Sequence, residues 1–344
     1  MALEAKDAET QLLRKQLANA HATTPESLQE STVPGYFQYN TGFTYEQFNI
    51  LCAFFKLPHN PDAPDTHIPL TYRNTDKYIL EIPLRCQFLL ILMKLRQNFD
   101  YKDLAHKFHI PTQTVSELFN SWIDYMYDRL GQIPIWPHRD IITQNMSEKY
   151  KQEYPNTFAI LDCTEIKIQQ PSGLVLQSQT YSSYKSANTL KALVVCDPRG
   201  AVMFVSALFT GSISDKDIFN RCGIVEQLKS LIECGYLNRE DGLMSDKGFL
   251  IEKEVEALGL KLNIPPFSRS NQQMPHSDVQ VTKKIAKHRV HVERAIGKIK
   301  MFKIISGKIP NTRLSNINQI FYVVSMLSNF LPHITDKWPS RSYM

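Results

Sequence analysis

The stretch F158-A-I-L-D-C-T-E-I-K-I168 decides the fold. It opens as an apolar run and carries one acid, Asp162, inside it. Such a run reads as a buried strand. An ionised carboxylate there is costly unless it is paired, hydrogen-bonded or bound to a metal. Downstream, Leu190 to Cys196 reads as a second strand, Asp197-Pro-Arg-Gly200 as a turn and Ala201 to Phe209 as a third strand, which together make an antiparallel meander. A helix from about Ser214 to Cys234 follows, with Ser214 placed to cap it. Gly242 to Ser245 is a short fourth strand, ending in the turn Asp246-Lys-Gly-Phe249. A helix over Leu250 to Leu258, a fifth strand over Leu260 to Ile264 and a polar loop over 268–280 come next. A long basic helix, Thr282 to Ile304, and an apolar one, Asn316 to Leu331, complete the series.

A meander, a crossover helix and a fourth strand returning beside the first predict an α/β domain of ribonuclease-H-like topology. Its sheet is mixed and five-stranded, flanked by helices. In that topology the ends of strands one and four are neighbours, so Asp162 and Asp246 face each other and Glu293 reaches them from the basic helix. Taken singly, each acid also fits a structural hydrogen-bonding role; their order favours the catalytic reading. Three carboxylates without His or Cys are hard oxygen donors, suited to Mg²⁺ or Mn²⁺ and not to zinc. Two such ions, roughly 4 Å apart, serve phosphodiester chemistry.

Upstream the periodicity is helical. Tyr45 to Phe55 and Pro83 to Phe99 read as helices, the second with proline where a helix start tolerates it. Lys102 to Phe108 behind Asp100, the break His109-Ile110-Pro111 and Thr112 to Leu130 form a helix-turn-helix candidate. An ordinary helical hairpin fits the pattern as well. In the first reading Thr112, Gln113, Thr114 and Ser116 reach base edges. Residues 131–157 read as loop. The expected organisation is an N-terminal helix and linker (1–40, with Leu13, Leu17 and Ala20 on one stripe), an all-α helix-turn-helix domain (41–135) and the α/β domain (150–335).

Charge points to the partner. The 344 residues carry 39 Lys and Arg against 34 Asp and Glu. Between Val281 and Arg313 stand ten cations and one acid, Glu293, leaving 29 cations to 33 acids elsewhere. One strongly basic segment on a mildly acidic chain suggests nucleic acid, with a solvated basic face as the plain alternative. Arg289, Gly297 and Lys300 share the Glu293 side of the helix. No apolar run approaches the roughly 18 residues that span a bilayer. The sequence opens with no secretory pattern, and the six cysteines include no C-x-x-C pair, which fits a reducing compartment.

The series L161-D-C-T-E165, Y181-S-S-Y-K185, G211-S-I-S-D215, S245-D-K-G-F249 and H291-V-E-R-A-I-G297 resembles the DDE endonuclease domain of PIF/Harbinger-type transposases. It is most similar to the animal branch related to bacterial insertion-sequence transposases. The likeness runs from Phe158 to Leu331. The run L92-M-K-L-R96 and the D-L-A-x-x-F helix behind it also resemble that family's helix-turn-helix. The resemblance implies a catalytic triad of Asp162, Asp246 and Glu293, with Asp215 as rival for the second position and as a further candidate metal ligand.

It implies a cut-and-paste transposase working on double-stranded DNA (transposon terminal repeats and target) with two Mg²⁺ or Mn²⁺ ions. Lys185, Arg269, Lys283, Lys284, Lys287, Arg289, Lys298 and Lys300 would grip the backbone. A homodimer or larger assembly, an accessory DNA-binding protein and a nuclear location follow from the same likeness; no membrane partner does. With only Cys52 in the first 85 residues, the zinc module common in this branch is not expected there. The alternatives are a domesticated DNA-binding regulator that does not cut, and a nuclease that cuts without joining.

Overall fold

A computed structural model describes residues 23–58, 70–73, 77–266 and 275–331. The expected N-terminal helix and Arg269 lie outside them. The chain divides into two compact units at Gly131/Gln132, with Phe302–Ile304 belonging to the first. Among the described residues no helix is long and apolar enough to cross a membrane.

The first unit is all helical. Its main elements are α1 (Tyr45–Phe54), α2 (Leu84–Gln97), α3 (Tyr101–Phe108) and α4 (Thr112–Gly131). Thr44 and Gln47 close a capping box at the start of α1. Asp100 caps α3 by accepting the Lys102 N–H at 2.9 Å. His109, with φ 54°, turns the chain out of α3 into the break before α4. The core is aromatic: the rings of Phe48 and Phe88 lie 5.6 Å apart and those of Phe88 and Trp122 5.5 Å.

One polar group inside this core is fully used. The buried Gln87 accepts hydrogen bonds from Trp122 Nε1 (2.9 Å) and the Tyr72 hydroxyl (2.8 Å). Its amide nitrogen donates to the carbonyls of Ile79 (3.1 Å) and Ile82 (3.0 Å). Trp122 is therefore a core residue. Gln87→Leu would strand these partners, so it should cost at least about 2 kcal/mol. Thermal unfolding should show a drop of several degrees in Tm; an unchanged Tm would show the hub contributes nothing.

The second unit is built on a mixed sheet of seven strands: β1 (Thr157–Lys167), β2 (Tyr181–Ser182), β3 (Ala187–Cys196), β4 (Val202–Val205), β5 (Phe209–Thr210), β6 (Gly242–Met244) and β7 (Lys261–Asn263). The order is β2-β3-β1-β6-β7, with β4 and β5 both on β3. β1 and β3 are antiparallel, whereas β1, β6 and β7 run parallel. This is the ribonuclease-H-like arrangement, with β1 at its centre and Phe158–Leu161 buried.

Several details differ from the sequence expectation. The single third strand is two, because Ser206 interrupts it; its hydroxyl accepts the Leu193 N–H at 2.9 Å in place of a ladder carbonyl. The crossover is two helices, α5 (Asp215–Arg221) and α6 (Ile224–Glu233), split where Gly223 takes φ 82°. The supposed loop 131–157 contains short helices at Arg139–Asn145 and Glu148–Glu153. Helix α7 (Glu252–Ala257) links β6 to β7.

The basic helix α8 (His276–Lys300) packs on β1 and β3, burying Ile285, His288, Val292, Ala295, Ile296 and Ile299 along one stripe. His288 Nε2 meets Glu153 Oε2 at 2.7 Å, and the buried Tyr150 hydroxyl donates to the His288 carbonyl at 3.0 Å. These contacts fix the helix in register against β1. The last helix, α9 (Ile317–Leu327), is the apolar one expected.

Candidate active site

The parallel register brings the two aspartates together. Ile160 pairs with Met244; Asp162, in the middle of β1, and Asp246, in the turn two residues beyond β6, follow that pair at equal offsets, and the charge of Asp246 acts on Asp162. Asp162 Oδ1 accepts the Cys163 N–H at 2.9 Å, and Asp246 Oδ1 accepts the Gly248 N–H at 2.8 Å. From α8, Arg289 Nη2 reaches within 3.6 Å of Asp162 Oδ2. Glu293, one turn further along the same side, is exposed.

Asp162 feels all of these groups. Burial pushes its carboxyl up to about 6; Arg289 opposes the rise, and the negative charges of Asp246 and Glu293 add to it. The three acids thus share one electrostatic field. Among the described residues, no three His, Cys, Asp or Glu side chains are placed so that they could together hold a metal ion. The donor set still suits a hard divalent cation: carboxylate oxygens, mutually repelling, with their surplus of negative charge only partly offset by one guanidinium.

Asp215 belongs to a different grouping. It begins α5 behind the Ser214 cap, and Lys191 Nζ stands 2.5 Å from its Oδ1. Lys191 also donates to the Ile213 carbonyl at 3.3 Å. Burial lowers the Lys191 ammonium, but Asp215, Cys163 and Glu165 outweigh this and raise it overall. Glu165, the cross-strand partner of Lys191, accepts the Thr189 hydroxyl at 2.7 Å. Asp215 is therefore held by a cation of its own. A Cβ built on Gly248 would nevertheless lie 3.1 Å from Asp246 Oδ1 and 3.4 Å from Asp215 Oδ2, so both carboxylates border that turn.

The expected DNA-facing residues separate into groups. Lys185, Lys283, Lys284 and Lys287 are exposed, and Arg289 and Lys300 are half-buried. Burial and the nearby Lys185 lower the Lys300 ammonium, with Glu165 and Asp162 opposing. Lys298 corrects the expectation: it is 6% exposed and its Nζ donates to the Leu331 carbonyl at 3.4 Å, so it serves the core of its unit. In α4, Thr112 and Gln113 are exposed and Ser116 half-buried, whereas Thr114 is buried and cannot reach a base edge. Thr114 and Val115 begin the inward stripe that continues at Leu118 and Phe119. Sequence reasoning missed Lys191 and Glu165, although opposite charges on paired strands carried a signal. It also missed the Tyr150–Glu153–His288 anchor, whose partners lie far apart in the chain.

The second unit thus carries a ribonuclease-H-like sheet in which Asp246 and Glu293 act on the Asp162 carboxylate, and the first unit carries a helix-turn-helix. Comparison with known families agrees: residues 161–329 match the DDE superfamily endonuclease family and residues 81–132 match the helix-turn-helix of DDE superfamily endonuclease. The chain belongs to the DDE superfamily endonucleases, in keeping with the Harbinger-type resemblance of its motifs. Similar curated proteins are those named "Putative nuclease HARBI1" from Homo sapiens (28% identical over 130 residues), Bos taurus (26% over 130) and Xenopus laevis (20% over 144). The human and bovine matches cover 37% of this chain and 34% of the relative, and the frog match 41% and 39%. The likeness therefore spans little more than a third of these proteins.

The raised Asp162 carboxyl has a consequence for stability. The folded state holds this proton more tightly than the unfolded chain, whose carboxyl titrates near 3.8. That contribution is complete below pH 3.8 and is lost as the pH rises through about 6. Asp162→Asn cannot ionise, so it should stabilise the protein at pH 8, by at most about 3 kcal/mol, and bring no gain at pH 3.5. Thermal unfolding at the two pH values checks this, and an equal change at both would refute it.

Proposed function

We propose that this protein is a DNA transposase that cuts and rejoins transposon ends by metal-dependent phosphodiester hydrolysis and strand transfer. The observation that carries the reading is that Asp246, just beyond the strand parallel to β1, and Glu293, from α8, both act on the Asp162 carboxylate. Asp162, Asp246 and Glu293 are the residues that would hold divalent cations, Mg²⁺ or Mn²⁺. Bound there, such ions supply activation of the attacking oxygen and stabilisation of the leaving one.

The chain's own residues do the rest. The Cys163 and Gly248 N–H groups orient the two aspartates, and the Tyr150–Glu153–His288 anchor keeps Glu293 in register with them. Lys283, Lys284 and Lys287, exposed on α8, with Lys185 on the neighbouring hairpin, suit the phosphate backbone. Thr112 and Gln113 open the second helix of the helix-turn-helix, where base edges are read. Partners in this reading are double-stranded DNA, further copies of the chain needed to join two DNA ends, and an accessory DNA-binding protein; the location is the nucleus.

Nicking of supercoiled plasmid in Mg²⁺ or Mn²⁺ tests the enzyme. Asp162→Asn, Asp246→Asn and Glu293→Gln should each lose at least about a hundredfold in rate while keeping DNA affinity. Full activity in all three variants would sink the assignment. Precleaved ends then test joining: strand-transfer product supports a transposase, and cutting without joining overturns that part of the reading.

A further inference from the structure

Arg289 occupies an unusual position. Its side chain is 14% exposed, and among the described residues its one ion-pair contact is Asp162 at 3.6 Å. That separation exceeds the 2.7–2.9 Å of a tight charge-assisted hydrogen bond. Its Nε is buried without a hydrogen-bond partner. A guanidinium has five N–H donors in a rigid fork that matches phosphate as well as carboxylate. Here, among the described residues, the Nε donor is unused although the group stands beside Asp162.

The surroundings offer it a second partner. Lys300 shares the Arg289 side of α8 and feels the charges of Asp162 and of the exposed Lys185, so a phosphate backbone drawn to these two cations arrives next to Arg289. The helix itself is held by His288–Glu153 and Tyr150. Any change of partner is therefore a rotation of the Arg289 side chain and not a movement of the helix.

We infer that Arg289 exchanges Asp162 for a DNA backbone phosphate, and that a divalent cation and the Arg289 guanidinium compete for the Asp162 carboxylate. This rests on the carboxylates being the metal site proposed above. Two positive groups drawn to one carboxylate oppose each other. A phosphate that engages Arg289 removes the competitor, so backbone binding and cation binding favour one another. Linkage makes the effect reciprocal. Arg289 is thus a positioning residue that makes the site ready for cations when DNA is present.

Mn²⁺ binding to the DNA-free protein, measured from the electron paramagnetic resonance signal of the free ion, tests the competition. Arg289→Met should tighten Mn²⁺ by roughly tenfold, and Arg289→Lys, which keeps the charge, should tighten it less. In EDTA, the affinity of Arg289→Met for a short fluorescent duplex should fall, with the slope of log K against log salt smaller by about one contact. Lys283→Ala should reduce that slope similarly and leave Mn²⁺ affinity unaltered. Circular dichroism confirms that each variant is folded. Unchanged or weaker Mn²⁺ binding in folded Arg289→Met overturns the inference, as does an unchanged salt slope. Asp162→Asn separates the two readings: if it fails to weaken Mn²⁺ binding, the metal site itself is wrong; if it weakens binding but Arg289→Met does not tighten it, only the exchange is wrong.

Discussion

A carboxylate in the central strand of a sheet has to be stabilised by something, and the second unit is organised around that requirement. Asp162 lies where β1 emerges from its most buried stretch, with one backbone N–H and one guanidinium offsetting its charge. Two further acids make its ionisation harder still. Hydrophobic burial alone would favour a Val or Leu at this point. What the fold gains from the acid is a concentration of negative charge beside the end of β6, and charge gathered in this way marks a candidate functional site.

Register, more than proximity, makes this possible. The parallel pairing of β1 with β6 sets Asp162 and Asp246 at equal offsets from the Ile160–Met244 pair, and a slip of one residue would send one of them to the opposite face. The meander and crossover fix which strand lies beside β1, and β7 covers the outer side of β6. On the far side of the acids, α8 has to stop at one particular rotation for Glu293 to arrive, and the buried His288 with its two partners secures it. The same strand serves two charge systems: Asp162 faces Arg289, while Cys163 and Glu165 face the Lys191–Asp215 pair.

Much of this was legible in the chain because it follows from local pattern. The apolar run with an embedded acid marks β1, the turn after Gly242–Ser245 marks Asp246, and a lone acid in a basic helix marks Glu293. Strand order then follows from connectivity rules. What escaped depends on contacts distant in sequence or on conformations that composition does not announce. The Gly223 break needed a left-handed residue inside an otherwise continuous helical pattern. The inward turn of Lys298 needed a carbonyl from residue 331 to receive it. Thr114 looked equivalent to its neighbours because polar residues at a helix start are usually outward, yet its position faces the core.

The turn after β6 has room for a glycine and little more. With both the Asp246 and Asp215 carboxylates bordering the Gly248 α-carbon, even a methyl group there would crowd Asp246 Oδ1. A larger side chain at this position would have to push that carboxylate oxygen aside by a few tenths of an ångström. The bare backbone of this turn thus sets the room in which two acids, one from the turn itself and one from α5, sit side by side.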